Sequence, residues 1–308
     1  MRVSTNTIYN EGIKRLSTIQ SQQIKLQEQI ATGKKFNSPA DDPIAAARAL
    51  EMEYSIKVND SYADSRITAK NNLNLLEGNL NSVTSLIQKA QATLVGAGNA
   101  SLSDLERGFK AQDLQNSLEA MLGLANAKDA AGKYIYSGYN TDTQPFDSDP
   151  SSGTYLDYQG GTDELKIRVD SNREMAINAT GDTVFQPSSG TDVFNALKDI
   201  ITLLNTPITN DTESAAFTTG LTTAIGDMKN ALNSVLNERA RIGAQLNELD
   251  ELDIAGDAMD LQYKTSLSQI QDLDYADALS KVAKYEVIME AAQKTFAATT
   301  QLSLFNFM

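Results

Sequence analysis

The stretch LNLLEGNLNSVTSLIQKAQATL, residues 73–94, decides the architecture. Its apolar positions Leu73, Leu76, Leu80, Val83, Ile87, Ala90 and Leu94 follow one another at alternating steps of three and four. A half-buried strand alternates at every second residue, whereas this spacing keeps one face of a helix against a nearly parallel neighbour. The segment therefore predicts a long helix in a bundle or coiled coil.

Working outward, the same spacing returns at Ile225, Met228, Leu232, Val235, Arg239, Ile242, Leu246 and Leu249. Arg239 interrupts this second seam, where a long cation either snorkels to water or pairs with a carboxylate. Thinner seams stand near the two ends: Leu16, Ile19, Gln23, Leu26 and Ile30, then Leu279, Val282, Glu286, Met289, Gln293 and Phe296. Half-polar helices of this kind are marginal alone, because most helix stability in proteins comes from packing. Charge favours their meeting. Residues 1–40 carry six basic side chains against two acidic ones, and residues 248–290 carry eleven acidic against three basic.

Between the arms the character changes. The six prolines avoid residues 44–144 and 208–308. Tyr134, Tyr136, Tyr139, Tyr155 and Tyr158 gather with Gly153, Gly160, Gly161 and the alternating LKIRV of residues 165–169, a pattern of short strands and turns. The expected fold is mainly α: an elongated bundle of long antiparallel helices from both chain ends, with a small central β-rich domain. Residues 1–40 and 265–308 are expected as terminal helices, 41–133 and 191–264 as a helical bundle domain, and 134–190 as an outer β-rich domain.

Composition removes whole classes of chemistry. The formal charge of -14 argues against nucleic acid, whose phosphates call for a clustered basic surface. Without histidine or cysteine there is no Ser/His/Asp set, no thiolate zinc site and no cysteine nucleophile. DSDPSSG (147–153) fails as a calcium loop, because Ser152 and Tyr158 stand where glycine and glutamate are needed. VGAGNAS (95–101) lacks a third glycine and follows a helix, so it reads as a helix stop. In SPADDP (38–43), Asp42 and Pro43 read as an N-cap and first helical residue rather than as an acid–base pair. No enzyme, cofactor or metal is expected, and no stretch has the apolar length of a membrane span. The polar start MRVSTNTIYNEGIKRL does not resemble a signal peptide, which leaves a cytoplasmic chain or one exported without a cleaved leader.

The ending QLSLFNFM (301–308) is the odd feature, with Leu302, Leu304, Phe305 and Phe307 at a position where chain ends are usually polar. Burying each side chain contributes about 1.5–3 kcal/mol. Ordering each backbone unit costs about 1–2 kcal/mol. These terms nearly cancel within one chain, so the tail either folds back into this molecule's own core or is held for another molecule, which would supply the missing surface.

STNTIYNEGIKRLSTIQSQQIKLQEQIATGKKFNSPADDPIAAARAL (4–50) resembles the amino-terminal signature of the flagellin superfamily, and RARIGAQLNELDEL (239–252) its carboxy-terminal counterpart. GKYIYSGYNTDTQPF (132–146) and AAQKTFAATTQLSLFNFM (291–308) are similar to the branch that forms the hook–filament junction. Phe36 stands where an aliphatic residue is usual, and Phe307-Met308 where Tyr-Leu is common. The resemblance implies chain ends that are unfolded in the free monomer and fold on assembly into the inner tube of the bacterial flagellum. It implies export without a cleaved leader, an export chaperone, a ring of copies of this chain, hook-associated protein 1 below and flagellin above. Expected packing residues are Leu16, Ile19, Leu26, Ile30, Leu279, Val282, Met289, Phe296, Leu302, Leu304, Phe305 and Phe307. Asn37, Asp41, Asp42, Pro43, Arg239, Arg241 and Gly243 match the signatures and are assigned to the bend and helix contacts. A filament-forming flagellin and an intracellular coiled-coil scaffold remain as alternatives.

Overall fold

The computed structural model describes residues 5–99, 102–187 and 192–305, without the side chains of residues 5, 6, 8 and 299–305. The described residues form seven helices: α1 (Thr5–Thr32), α2 (Pro43–Ala97), α3 (Asp104–Ala125), α4 (Gly181–Phe185), α5 (Val193–Asn205), α6 (Asp211–Gln271) and α7 (Tyr275–Phe305). One antiparallel hairpin pairs β1 (Lys166–Asp170) with β2 (Arg173–Ala176). The protein is thus mainly α, with long helices and a small β element. The chain divides into two compact units, residues 1–59 with 257–308 and residues 60–256.

In the unit of residues 60–256 the opening stretch does what its period demands. Leu73, Leu76, Leu80, Val83, Ile87, Ala90 and Leu94 are all buried, and Ala69 and Ala97 extend the row at both ends. On α6 the shared positions Met228, Val235, Ile242 and Leu249 are buried, while Ile225, Leu232 and Leu246 sit half-buried beside them. The central line of α6 runs through Leu221, Ala224 and Ala231, one residue before the expected Ile225 and Leu232. Cross-links fix the direction: Lys70 pairs with Asp250 at 2.7 Å, whereas Glu77 meets Arg239 at 2.6 Å, so the two helices run antiparallel. Arg239 also donates to the Thr84 hydroxyl, 3.3 Å away. The interrupting cation therefore pairs with a carboxylate and does not simply snorkel.

One ionic cluster in this unit joins helix to sheet. Arg66, only 2% exposed, pairs with Asp253 and donates to the Val169 carbonyl of β1 at 3.2 Å. Lys70 reaches the same carboxyl at 2.5 Å. Burial pushes Asp253 up, but the bonds from Lys70 and Arg66 outweigh it and hold the carboxyl below its usual range.

The residues between α3 and α5 form a compact cap built mostly from turns. Tyr136, Phe146, Phe185 and Phe194 are fully buried, with edge-to-face contacts between Phe146 and Phe185 (5.5 Å) and between Tyr136 and Phe185 (5.2 Å). Asn126 brackets Phe146 as a strand would, its amide donating to the Phe146 carbonyl and its oxygen accepting from the Phe146 N–H. Tyr158 donates to the carbonyls of Tyr136 and Gly161, and burial pushes its phenol up to about 12. The expected short strands reduce to the one hairpin plus isolated bridges at Lys128–Tyr134, Ser137–Thr180 and Phe146–Tyr158. Side-chain amides and phenols satisfy the backbone groups that a larger sheet would have paired.

Candidate assembly surface

The unit of residues 1–59 and 257–308 is built differently. Among its described residues the only buried apolar side chains are Leu26, Phe36, Ala46, Ala49 and Ala278, three of them alanine. Meanwhile Ile24, Ile44, Leu50, Tyr54, Leu261, Leu279 and Val287 are each at least half exposed. Isolated apolar side chains on a surface are ordinary, but a unit with more large apolar groups outside than inside is short of a core.

Two helices form its pair. Tyr9 packs on Phe296 with ring centroids 5.2 Å apart, and Gly33 lies against Tyr275, so α1 and α7 run antiparallel. The Phe296 ring rests directly on Gly12: a Cβ there would come within 2.6 Å of it. Counting from Gly12 at steps of four and three, Leu16, Ile19, Gln23, Leu26 and Ile30 share one face; Leu26 is buried and the others half-buried. This is the predicted seam of the first helix.

On α7 the prediction needs correcting. The shielded line runs Ala278, Val282, Tyr285, Met289, Ala292 and Phe296, whereas Leu279 is 57% exposed and Glu286 and Gln293 are exposed. Two rows with alternating steps of three and four share Val282, Met289 and Phe296 and differ by one residue elsewhere. The chain turns the row with two alanines inward, because small side chains let helix backbones approach and because Glu286 and Gln293 stay in water. Leu279 thus lies outside the intrachain contact. Leu302, Leu304 and Phe305 fall on the last turns of α7, but their side chains lie outside the described residues, as does all of Phe307.

Among the described residues no ion pair joins α1 to α7, so the charge contrast of the two ends is not what packs them there. The ion pairs described for these helices are Arg15–Glu11 within α1, Lys281–Asp277 and Lys294–Glu290 within α7, and Lys25–Asp41. Apolar packing holds the pair.

The bend between α1 and α2 contains the signature residues. Thr32 donates to the Asn37 side chain at 2.8 Å. Asp41 accepts from the backbone N–H groups of Asn37 and Ser38 and pairs with Lys25 at 2.7 Å. The Lys25 bond, helped by those two N–H groups, lowers its carboxyl to about 2. Asp42 caps α2 through the N–H groups of Ile44 and Ala45, and Pro43 is the first helical residue, as the sequence predicts. Phe36 plugs a small cluster of Ala46 and Ala49 with Leu267 and Ile270. Its larger ring occupies the position of an aliphatic residue without leaving the protein interior.

The remaining signature residues lie on α6 in the other unit. Arg239 is the partner of Glu77, and Arg241 bridges Glu238 and Glu164, the latter at 2.9 Å. A Cβ added at Gly243 would meet nothing within 4 Å, so nothing within the chain demands glycine there. Gly12, Ala278, Tyr285 and Ala292 were missed from sequence. Gly12 was legible, since it stands four residues before Leu16 in register with the seam.

Among the described residues no group of three acidic side chains is placed to hold a metal, and no helix is long and apolar enough to cross a membrane. An open cleft is lined by Thr162, Asp163, Glu164, Lys166, Thr180 and Thr183.

Comparison with known proteins agrees with this picture. Residues 3–141 match the bacterial flagellin N-terminal helical region. The flagellar hook-associated protein 3 of Escherichia coli is 35% identical over 99% of both chains, and that of Salmonella typhimurium is equally similar. The flagellin of Bacillus subtilis is 23% identical over 98% of this chain and 97% of its own. In fold, a putative flagellar hook-associated protein from Vibrio parahaemolyticus superimposes with a TM-score of 0.68 at 24% identity, covering 75% of this chain and all of its own. The flagellar junction protein from Legionella pneumophila gives 0.62 at 20% identity, covering 74% and 100%. A thinly packed terminal helix pair, a seamed antiparallel bundle and similarity along the full length lead to one assignment: the chain belongs to the flagellar hook-associated protein 3 family, a structural branch of the flagellin superfamily.

Proposed function

We propose that the protein is a structural adaptor at the hook–filament junction of the bacterial flagellum, seated as a ring of its own copies on hook-associated protein 1 and offering its other face to flagellin. The observation that carries this is the 35% identity to hook-associated protein 3 over 99% of both chains, against 23% to a flagellin of similar coverage. The poor core of the unit formed by both chain ends supports it, since such a surface gains its missing contacts from neighbouring subunits.

In this reading residues 1–40 and 265–308 enter the inner tube, residues 41–133 and 191–264 form the next shell, and residues 134–190 point outward. The packing residues are Leu16, Ile19, Leu26, Ile30, Val282, Met289 and Phe296 within the helix pair. Leu279, Leu302, Leu304, Phe305 and Phe307 are left for neighbouring subunits. The chain works outside the cell after export, its carboxy-terminal region shielded by an export chaperone until then. The role is structural rather than enzymatic.

Electron microscopy of hooks bearing hook-associated protein 1 tests the proposal. Added full-length protein should form one short layer on the hook tips, with no long polymers in the protein alone, and a chain lacking residues 299–308 should add no layer. Long self-polymers would transfer the assignment to a filament subunit. Normal layers from the shortened chain would end the role given to the tail.

A further inference from the structure

In the unit of residues 60–256 the outer faces of α2 and α6 are almost free of charge. Successive helical residues turn by about 100°, so the face opposite a buried seam stands two residues off it. On α2 that face runs from Ile67 to Val95 at alternating steps of four and three, nine positions that are all exposed. Between its two apolar ends it carries the amides Asn71, Asn74, Asn81 and Gln88 with Gly78, one serine and one alanine, and no charge. On α6 the corresponding face runs from Thr219 to Ile254, eleven exposed positions with four asparagines, two threonines, Gly226, Ala240 and Ala244, and Glu251 as the one charge.

The unit around them is strongly acidic. Residues 60–256 hold 27 acidic and 14 basic side chains, a net charge of -13. At the chain's average of 21% charged, twenty positions would hold about four charged groups, and these two faces hold one. Helix formation does not account for the choice. Lysine, glutamate and arginine are better helix formers than asparagine or glycine, and they keep a wet face soluble. A Cβ at Gly78 or Gly226 would meet nothing within 4 Å, so no contact within the chain requires glycine there. A charge-free face has a use where the neighbour carries the same net charge. Identical acidic copies repel through their other surfaces, and a charge buried between them is costly. Amides suit such a contact, since each both donates and accepts.

The two helices run antiparallel, and the pair between Arg66 and Asp253 sets Ile67 level with Ile254. Their buried rows share one core, so the outer faces look away from it in different directions. We infer that the α2 face of one copy packs against the α6 face of the next, antiparallel and with Ile67 beside Ile254. All copies then point the same way and the same contact repeats from copy to copy, as a ring about one axis requires. The inference rests on the proposed ring of copies and supplies its lateral contact.

The chain has no cysteine, so introduced ones report without background. Seven residues along each helix from Ile67 and Ile254 lie Asn74 and Asn247. A disulfide needs Cα atoms about 4.4–6.8 Å apart, which the outer faces of two packed helices in one copy do not offer. Full-length protein with Asn74→Cys and Asn247→Cys is oxidised on hooks bearing hook-associated protein 1 and, in parallel, as concentrated free chain. A denaturing gel should show a covalent ladder beyond the dimer. A mixture of the two single variants should stop at the dimer, and each alone should stay monomeric. Asn74→Cys with Ala244→Cys covers a slip of one turn. Gly78→Glu adds a charge in open space, so the urea midpoint should hold while layer formation weakens at least about tenfold. Gly153→Glu, also in open space, should leave the layer unchanged. Dimers from one single variant alone, or no ladder from either double variant in both samples, would overturn the inference. A layer by electron microscopy without a ladder ends this contact and leaves the junction proposal standing. A ladder in the free chain without a layer does the reverse.

Discussion

Asp253→Ala should destabilise the unit of residues 60–256 more than Arg66→Met, although both substitutions break the same ion pair. Arg66 is 2% exposed and Asp253 is 32% exposed. Removing the carboxyl leaves a buried guanidinium with the Val169 carbonyl as its remaining acceptor. Stranding one member of a buried pair costs about 3–5 kcal/mol. Removing the guanidinium instead leaves a carboxyl that still holds Lys70 at 2.5 Å and still meets water. Methionine fills much of the vacated volume, so that loss should be about 1–2 kcal/mol. Lys70 in turn keeps Asp250 at 2.7 Å when Asp253 is gone, so the excess cost of Asp253→Ala belongs to Arg66. The double variant should cost less than the sum of the singles, because with both gone nothing is stranded.

Urea unfolding followed by the near-ultraviolet signal of the tyrosines reports this unit through Tyr136 and Tyr158. With a urea slope of about 2–3 kcal/mol/M, the two single variants should differ in midpoint by roughly 1 M, with unchanged slope. An Arg66→Met midpoint equal to or below that of Asp253→Ala would show that the guanidinium does not depend on this carboxyl. The cluster would then be an ordinary surface pair.

Two further outcomes separate a seam residue from an exposed one and fix the charge of the bend. Leu76→Ala should cost about 2–5 kcal/mol by urea titration, whereas Leu279→Ala should stay within about 0.5 kcal/mol of the unaltered chain; a large loss at Leu279 would place it back in the intrachain seam. Asp41 should titrate near 2 in the folded chain, against 3.8 for the free group, when its side-chain carbon is followed by NMR. A depressed carboxyl stabilises the fold above its unfolded value and loses that contribution as pH falls toward its folded one. The bend should therefore loosen between about pH 3.8 and 2, and a midpoint near 4 would remove the Lys25 partnership.

The parts of this fold that sequence reveals are those with a repeating physical cause. Leu73 to Leu94 could be placed because seven positions must all face one neighbour, and the Asp42–Pro43 start because a cap and a first-turn proline have local chemistry. The α7 seam could not be fixed the same way. Two rows fit the spacing, and choosing between Ala278 and Leu279 requires knowing how closely the neighbouring backbone approaches. Gly12, which allows that approach, was legible from its register with Leu16, but which α7 side chain rests on it was not. The junction between the turn after α1 and the turn before α7 was invisible for a different reason. It is made by backbone bonds, from the Lys35 N–H to the Gln271 carbonyl and from the Leu273 N–H to the Gly33 carbonyl, and side-chain identity says little about them. Within the central segment, the aromatic cluster was legible as composition, but not the use of Asn126 in place of a strand neighbour.

The pairing of Tyr9 with Phe296 also bears on synthesis. These residues are separated by nearly the whole described chain, and α7 begins only at Tyr275. During translation the first helix leaves the ribosome long before its partner exists, so the helix pair is the last part of the molecule able to form. A product of premature termination can fold residues 60–256, yet it presents no α1–α7 pair. Possession of that pair thus certifies a chain translated at least as far as Phe296, a form of length proofreading supplied by topology alone.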